Sequence, residues 1–258
     1  MSASEIPLKV MIINPTTLAS SDLETEQEYA SYASVGTQVR VTRVEEGPAS
    51  IECELDKAIC VPDFLRKAQQ AEAEGYDAII SDCYCDPAVK PARELVSIPV
   101  VGPAESSMHF AASLGHRFSV VTVLPNIVPA IEGLAEEYGL GGKLASVRYV
   151  NIPVLELGDR NKLVDALHRE MLAAIREDHA HVLVVGCTGM KAVVGELRRR
   201  LNQDRYDVPV VDPIGASLKF AEALVSMGLK QSRLTAMPPP EKNRDGFRLK
   251  VPKKTAVV

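Results

Sequence analysis

The feature that most limits what this chain can fold into is that it repeats itself. Pro99-Val-Val-Gly-Pro-Ala-Glu-Ser-Ser-Met-His-Phe-Ala-Ala-Ser-Leu114 aligns with Pro209-Val-Val-Asp-Pro-Ile-Gly-Ala-Ser-Leu-Lys-Phe-Ala-Glu-Ala-Leu224, with half the positions identical at an offset of 110 residues. The same offset lays Lys9–Pro15 on Ser119–Pro125, and an offset of 104 lays Asp77–Cys83 on His181–Cys187. A period this long is too long for a solenoid and predicts two homologous halves.

Each half reads as strands alternating with helices. Apolar runs at Leu8–Ile13, Val39–Val44, Asp77–Ser81, Pro99–Val101, Phe118–Val123, Val147–Ile152, Val182–Val185 and Pro209–Val211 are separated by amphipathic stretches such as Phe64–Glu74, Ile127–Tyr138, Lys162–Arg176 and Ala216–Met227. Continuous apolar strands alternating with helices predict parallel sheets covered on both faces, an α/β fold. We expect a first half at residues 1–97 plus 214–240, a second at 98–213, and a basic, proline-containing tail at 241–258.

The repeat puts Cys83 and Cys187 at equivalent strand ends, the edge where open α/β sheets bind ligands. If the halves face each other, the two thiols approach one pocket from opposite sides. Stereoinversion needs that arrangement, since one group removes a proton and the other returns one to the opposite face. A lone strand-end cysteine is usually packing, and Cys53 and Cys60 read that way. Two at matching positions of a duplicated unit do not. Each also precedes an expected helix, Ala88–Val96 with Asp86 as N-cap and Pro87 at its first position, and Lys191–Leu201. Helix N-termini lower a thiol's pKa and offer N–H groups to an enolate oxygen, so depressed thiols are the expectation. Cys85, two residues from Cys83, is either the working thiol, a tuning neighbour or a bystander; the repeat register favours Cys83.

Composition narrows the function. A net charge of −5 and a pI near 5.6 argue against nucleic-acid and anionic-membrane partners. No apolar run is long enough to span a bilayer, and the start of the chain lacks a signal-peptide pattern. Five cysteines, an odd number without a CxxC pair, suggest reduced thiols in the cytoplasm and no structural metal. His179 and His181 at a helix-to-strand handover read as solvated surface residues.

On these residues the chain resembles the hydantoin racemases of the aspartate/glutamate racemase superfamily. Asp77-Ala-Ile-Ile-Ser-Asp-Cys83-Tyr-Cys-Asp-Pro, followed by Ala92-Arg-Glu94, is similar to their first cysteine segment, and Gly186-Cys-Thr-Gly-Met190 to their second. Ile13-Asn-Pro15, Gly47–Glu52, Phe118–Pro125, Pro129–Glu132 and Asn151–Leu155 also fit. The resemblance implies a pseudo-symmetric α/β fold with the active site between its halves, racemisation of 5-substituted hydantoins without metal or other cofactor, and a homo-oligomer. It further implies Cys83 and Cys187 as the acid/base pair, with Asn14, Pro48, Ser50, Tyr84, Cys85, Thr122, Pro125, Thr188 and Gly189 around the substrate. The superfamily's amino-acid racemases resemble Cys-Asn-Thr where this chain has Cys83-Tyr-Cys85, which argues against free aspartate or glutamate. Cysteine at position 85, where hydantoin racemases carry Asp or Gly, admits a shifted substrate such as allantoin. Two alternatives stand beside this reading. An arylmalonate-type decarboxylase needs only one of the two cysteines, and a thiol-based binding or redox-sensor protein would respond through Cys83 and Cys85.

Overall fold

The computed structural model describes residues 7–18 and 22–243; the expected tail lies, from residue 244 onward, outside them. Two four-stranded parallel sheets form the frame. In the first, β1 (Lys9–Asn14) pairs with β2 (Gln38–Arg43) on one side and β3 (Ala78–Ser81) on the other, and β3 pairs with β4 (Val100–Val101), giving the order β2-β1-β3-β4. In the second, β5 (Phe118–Thr122), β6 (Leu144–Tyr149), β7 (Val182–Val185) and β8 (Val210–Val211) take the order β6-β5-β7-β8. The two orders are the same topology written twice, as the repeat requires.

β3 and β7 are continuous apolar or small-residue runs because both faces are covered; every residue in them is buried. On the first sheet lie α1 (Asp22–Tyr32), α3 (Val61–Ala73) and α4 (Val89–Leu95), with α2 (Glu54–Ile59) packed on α3. The second carries α6 (Val128–Glu137), α7 (Arg160–Arg176) and α8 (Val194–Gln203). The repeated helices cross over. After β4, α5 (Pro103–Leu114) packs on β5, β7 and β8, while α9 (Pro213–Ser226) returns from β8 to pack on β3 and β4. The two helices also pack on each other and join the halves. Ile12, Ile79, Ile80, Val120 and Val184 are fully buried at the centres of the sheets, each contributing about 1.5–3 kcal/mol.

Several local expectations are revised. β4 hydrogen-bonds to β3, so the chain leaves the first sheet after Val101 rather than at residue 97. β6 lies three residues earlier than the expected Val147–Ile152, and the rest of that run continues only as loop bonds such as the Val150 N–H to Thr122 O at 2.9 Å. Asp86 does not cap α4, which is preceded by Ala88 in the left-handed region at φ 60°. Its carboxylate instead accepts the N–H groups of Ala104 at 2.9 Å and Glu105 at 2.8 Å in the first turn of α5, and the Tyr138 hydroxyl at 2.7 Å. Burial pushes this carboxyl up to about 7 against those donors.

The Asp86 cap fixes the residue at Gly102. A Cβ there would fall inside the Asp86 carboxylate, so Gly102→Ala must displace a buried cap that holds the turn after Cys83. The expected cost is about 2–4 kcal/mol of unfolding free energy. A denaturant midpoint unchanged from wild type would contradict it.

Candidate active site

Cys83 and Cys187 each lie two residues beyond the last residue of β3 and β7. Both are interior strands of parallel sheets, so both thiols sit at C-terminal edges. They open on one cavity of about 500 Å³ that the two halves share. Asn14, Tyr84, Cys85, Thr122, Thr188 and Gly189 line it as well. Pro48, Ser50 and Pro125 do not, although their neighbours Ala49, Ile51 and Ile127 do. Pro48 turns its carbonyl to the Thr17 N–H at 2.9 Å, and Pro125 is exposed at the start of a 3₁₀ turn.

Hydrogen bonds hold the two cysteine turns in register. The Thr188 hydroxyl donates to the Asp82 carbonyl oxygen at 3.2 Å, tying the second turn to the end of β3. The Thr122 hydroxyl donates to Gly186 O at 2.9 Å. The Asn14 side-chain oxygen accepts from the Thr16 hydroxyl at 2.8 Å and the Thr16 N–H at 3.2 Å, which fixes the loop after β1. Gly186 must be glycine because a Cβ would meet the Val121 carbonyl oxygen at 2.9 Å.

The thiols differ from the expectation of depressed pKa values. Neither sits on a helix N-terminus: α4 starts at Val89 and α8 at Val194, each after a turn, with Ala192 in the left-handed region at φ 54°. Contact with the Cys85 thiol, then burial, hold Cys83 well above the ordinary thiol range. Burial pushes Cys187 up to about 12, opposed by the Gly189 N–H 3.3 Å from its Sγ. Desolvation outweighs the few N–H groups aimed at each sulfur.

Side chains outside the expected set complete the walls. Ile51, Val154 and Leu157 form an apolar side, and Asp82, Thr25 and Lys191 a polar one. Lys191 Nζ donates to the Thr25 hydroxyl at 2.8 Å, and the Ala192 N–H to Glu28 at 3.0 Å, so α1 of the first half braces the Cys187 turn. Across the opposite rim the Val154 N–H donates to Glu52 at 2.5 Å. Lys191 lies four residues beyond the repeated Cys187, but nothing in the sequence marks Thr25, which lies outside the repeat. Among the described residues no group of three or more His, Cys, Asp or Glu is placed to hold a metal, and His179 and His181 are exposed. No helix among them is long and apolar enough to cross a membrane.

Comparison with known proteins follows the same lines. The chain is 36% identical to a hydantoin racemase of Pseudomonas sp. (strain NS671) over 236 residues, covering 91% of this chain and 93% of that one. Its fold superposes on an allantoin racemase from Pseudomonas fluorescens with a TM-score of 0.85 at 33% identity, covering 92% and 99% of the two chains. The corresponding values for an allantoin racemase from Klebsiella pneumoniae are 0.84, 32%, 92% and 95%. A family model described as Asp/Glu/hydantoin racemase matches residues 10–221, a span that takes in both sheets and the three cavity cysteines, and the chain belongs to that family.

Proposed function

We propose that this protein racemises 5-substituted hydantoins or a related cyclic ureide such as allantoin, using Cys83 and Cys187 as its acid and base. One observation carries the reading: two cysteines at equivalent strand ends of a duplicated fold open on a single cavity. One thiolate takes the proton from the ring carbon next to the carbonyl, and the C–H electron pair moves into the carbonyl as an enolate. The opposite thiol then gives its proton to the other face of that carbon. The reverse turnover starts from the swapped thiol and thiolate.

The raised thiols suit this substrate. A carbon acid is weak, and a thiolate that holds its proton tightly is a stronger base towards it. The cost is that little thiolate exists at neutral pH. Both steps are proton transfers that the two thiols carry between them. Retention of both cysteines favours racemisation over one-sided protonation of a decarboxylation product. In the same reading the chain works as a homo-oligomer in the cytoplasm, which keeps its five cysteines reduced.

The test is incubation of one hydantoin enantiomer in D₂O with the protein alone. Loss of the C5–H signal and decay of optical rotation are expected together, without added metal or cofactor. A panel of optically pure hydantoins and allantoin showing neither would sink the reading.

A further inference from the structure

The two-thiol reaction has no task for Asp82, yet this acidic residue lines the cavity beside Cys83. The residue is buried, at 8% exposure. The Tyr29 hydroxyl, fully buried on α1, donates to its Oδ1 at 3.0 Å. Burial pushes its carboxyl above the usual carboxylate range, and Asp22 adds to that, while Lys191 on the Cys187 turn and the Tyr29 and Thr188 hydroxyls favour the ionised form. The negative charge reaches both thiols and raises each of them. A carboxylate that makes both bases harder to ionise is a burden unless the substrate uses it.

A neutral cyclic ureide offers ring N–H donors and no negative charge. We propose that Asp82 is a specificity-determining residue that accepts a ring N–H of the neutral substrate and repels ligands bearing a carboxylate. The inference rests on the cyclic-ureide reading above. The informative competitor is the ring-opened N-carbamoyl amino acid, which keeps the substituent and the ureido group but carries a carboxylate in place of a ring carbonyl. Two cations also line the cavity. Arg160 donates to the Ala192 carbonyl oxygen at 2.5 Å, and Lys191 is bonded to Thr25 with Glu24 4.0 Å away. These cations favour anions; of the two carboxyls that line the cavity, Glu24 is exposed and Asp82 is the one next to Cys83, so discrimination against a carboxylate at the thiols is assigned to Asp82.

Asp82→Asn keeps the shape and an acceptor for Tyr29 while removing the charge. Binding of a neutral 5-substituted hydantoin and of its N-carbamoyl acid is measured as KM and as a competitive inhibition constant, in wild type and variant. The variant is expected to bind the hydantoin about tenfold more weakly and the N-carbamoyl acid at least about tenfold more tightly, since a like-charge repulsion is removed and Lys191 loses its counter-charge. Opposed shifts are the signature, because structural damage would weaken both ligands. Asp82→Ser provides the same comparison if the Asn variant fails to fold. A wild type active on hydantoins whose variants shift both ligands in one direction, or neither, overturns this inference alone. A wild type inactive on every neutral ureide overturns it together with the proposed function.

Discussion

Serine at position 83 or 187 is expected to lower racemisation by about 10²–10⁴-fold, the range a positioned acid–base group contributes. A serine hydroxyl is close in size to the thiol it replaces, so the cavity and the turns around it persist. It does not ionise at any pH the protein survives, and the proton transfer on that face is lost. Cys85→Ser serves as the contrast. Cys85 is buried at 4% exposure and lines the cavity, but it is displaced by two residues from the position that matches Cys187. Its replacement should leave racemisation measurable and within about tenfold of wild type. Rates by polarimetry from each enantiomer, with circular dichroism to verify folding, give the comparison. A dead Cys85→Ser beside an active Cys83→Ser would show that the catalytic thiol is misassigned.

A steep pH dependence is the second large effect expected. Burial and the neighbouring Cys85 thiol disfavour the thiolates, and Cys187 is pushed up to about 12. In the proposed reaction the productive form has one thiol and one thiolate. Because both pKa values lie above neutrality, each unit of pH gained adds about tenfold to that form until the lower pKa is reached. Inactivation by iodoacetamide, which consumes only thiolate, should therefore accelerate about 100-fold between pH 6.5 and ~8.5, the limit of the tenfold-per-unit rule. Racemisation kcat/KM should climb with it. A rate flat across that interval would mean that a thiolate is already formed near neutrality, as the helix-terminus expectation held.

That expectation failed for a physical reason that the sequence does not expose. A cysteine followed by Thr-Gly-Met and a helical pattern looks like a helix N-terminus. Ala192 takes a left-handed conformation, however, and the helix begins only at Val194. Asp86 misled in a similar way. Its spacing to Pro87 suits a cap on α4, but its carboxylate reaches α5 through a space that only Gly102 leaves open. The helix α1 is the larger omission. Its eleven residues are mostly charged or polar, with only Thr25 and Tyr29 buried, so no apolar period marks it. Those two side chains are the ones that meet Lys191 and Asp82 at the cavity.

What the sequence did expose follows from the same physics. β3 and β7 are buried on both faces, so their apolar runs are continuous and end sharply at the cysteine segments. Duplication fixes the equivalence of Cys83 and Cys187 without any knowledge of side-chain placement. Loop residues have no such constraint. Around positions 48–51 and 125–127 the residues that line the cavity are Ala49, Ile51 and Ile127 rather than Pro48, Ser50 and Pro125.

The central claim is that one thiol serves each face of the substrate carbon, and the stereochemistry of isotope exchange tests it most directly. A single-cysteine variant still holds a thiolate that can remove the proton of the enantiomer it faces and return a deuteron to the same side. In D₂O, Cys83→Ser should therefore exchange one hydantoin enantiomer with retained configuration, and Cys187→Ser should exchange the opposite one. Chiral chromatography with mass detection separates exchange from inversion. Opposite preferences in the two variants are the predicted result, and exchange of the same enantiomer by both would place the thiols on one face and contradict the account.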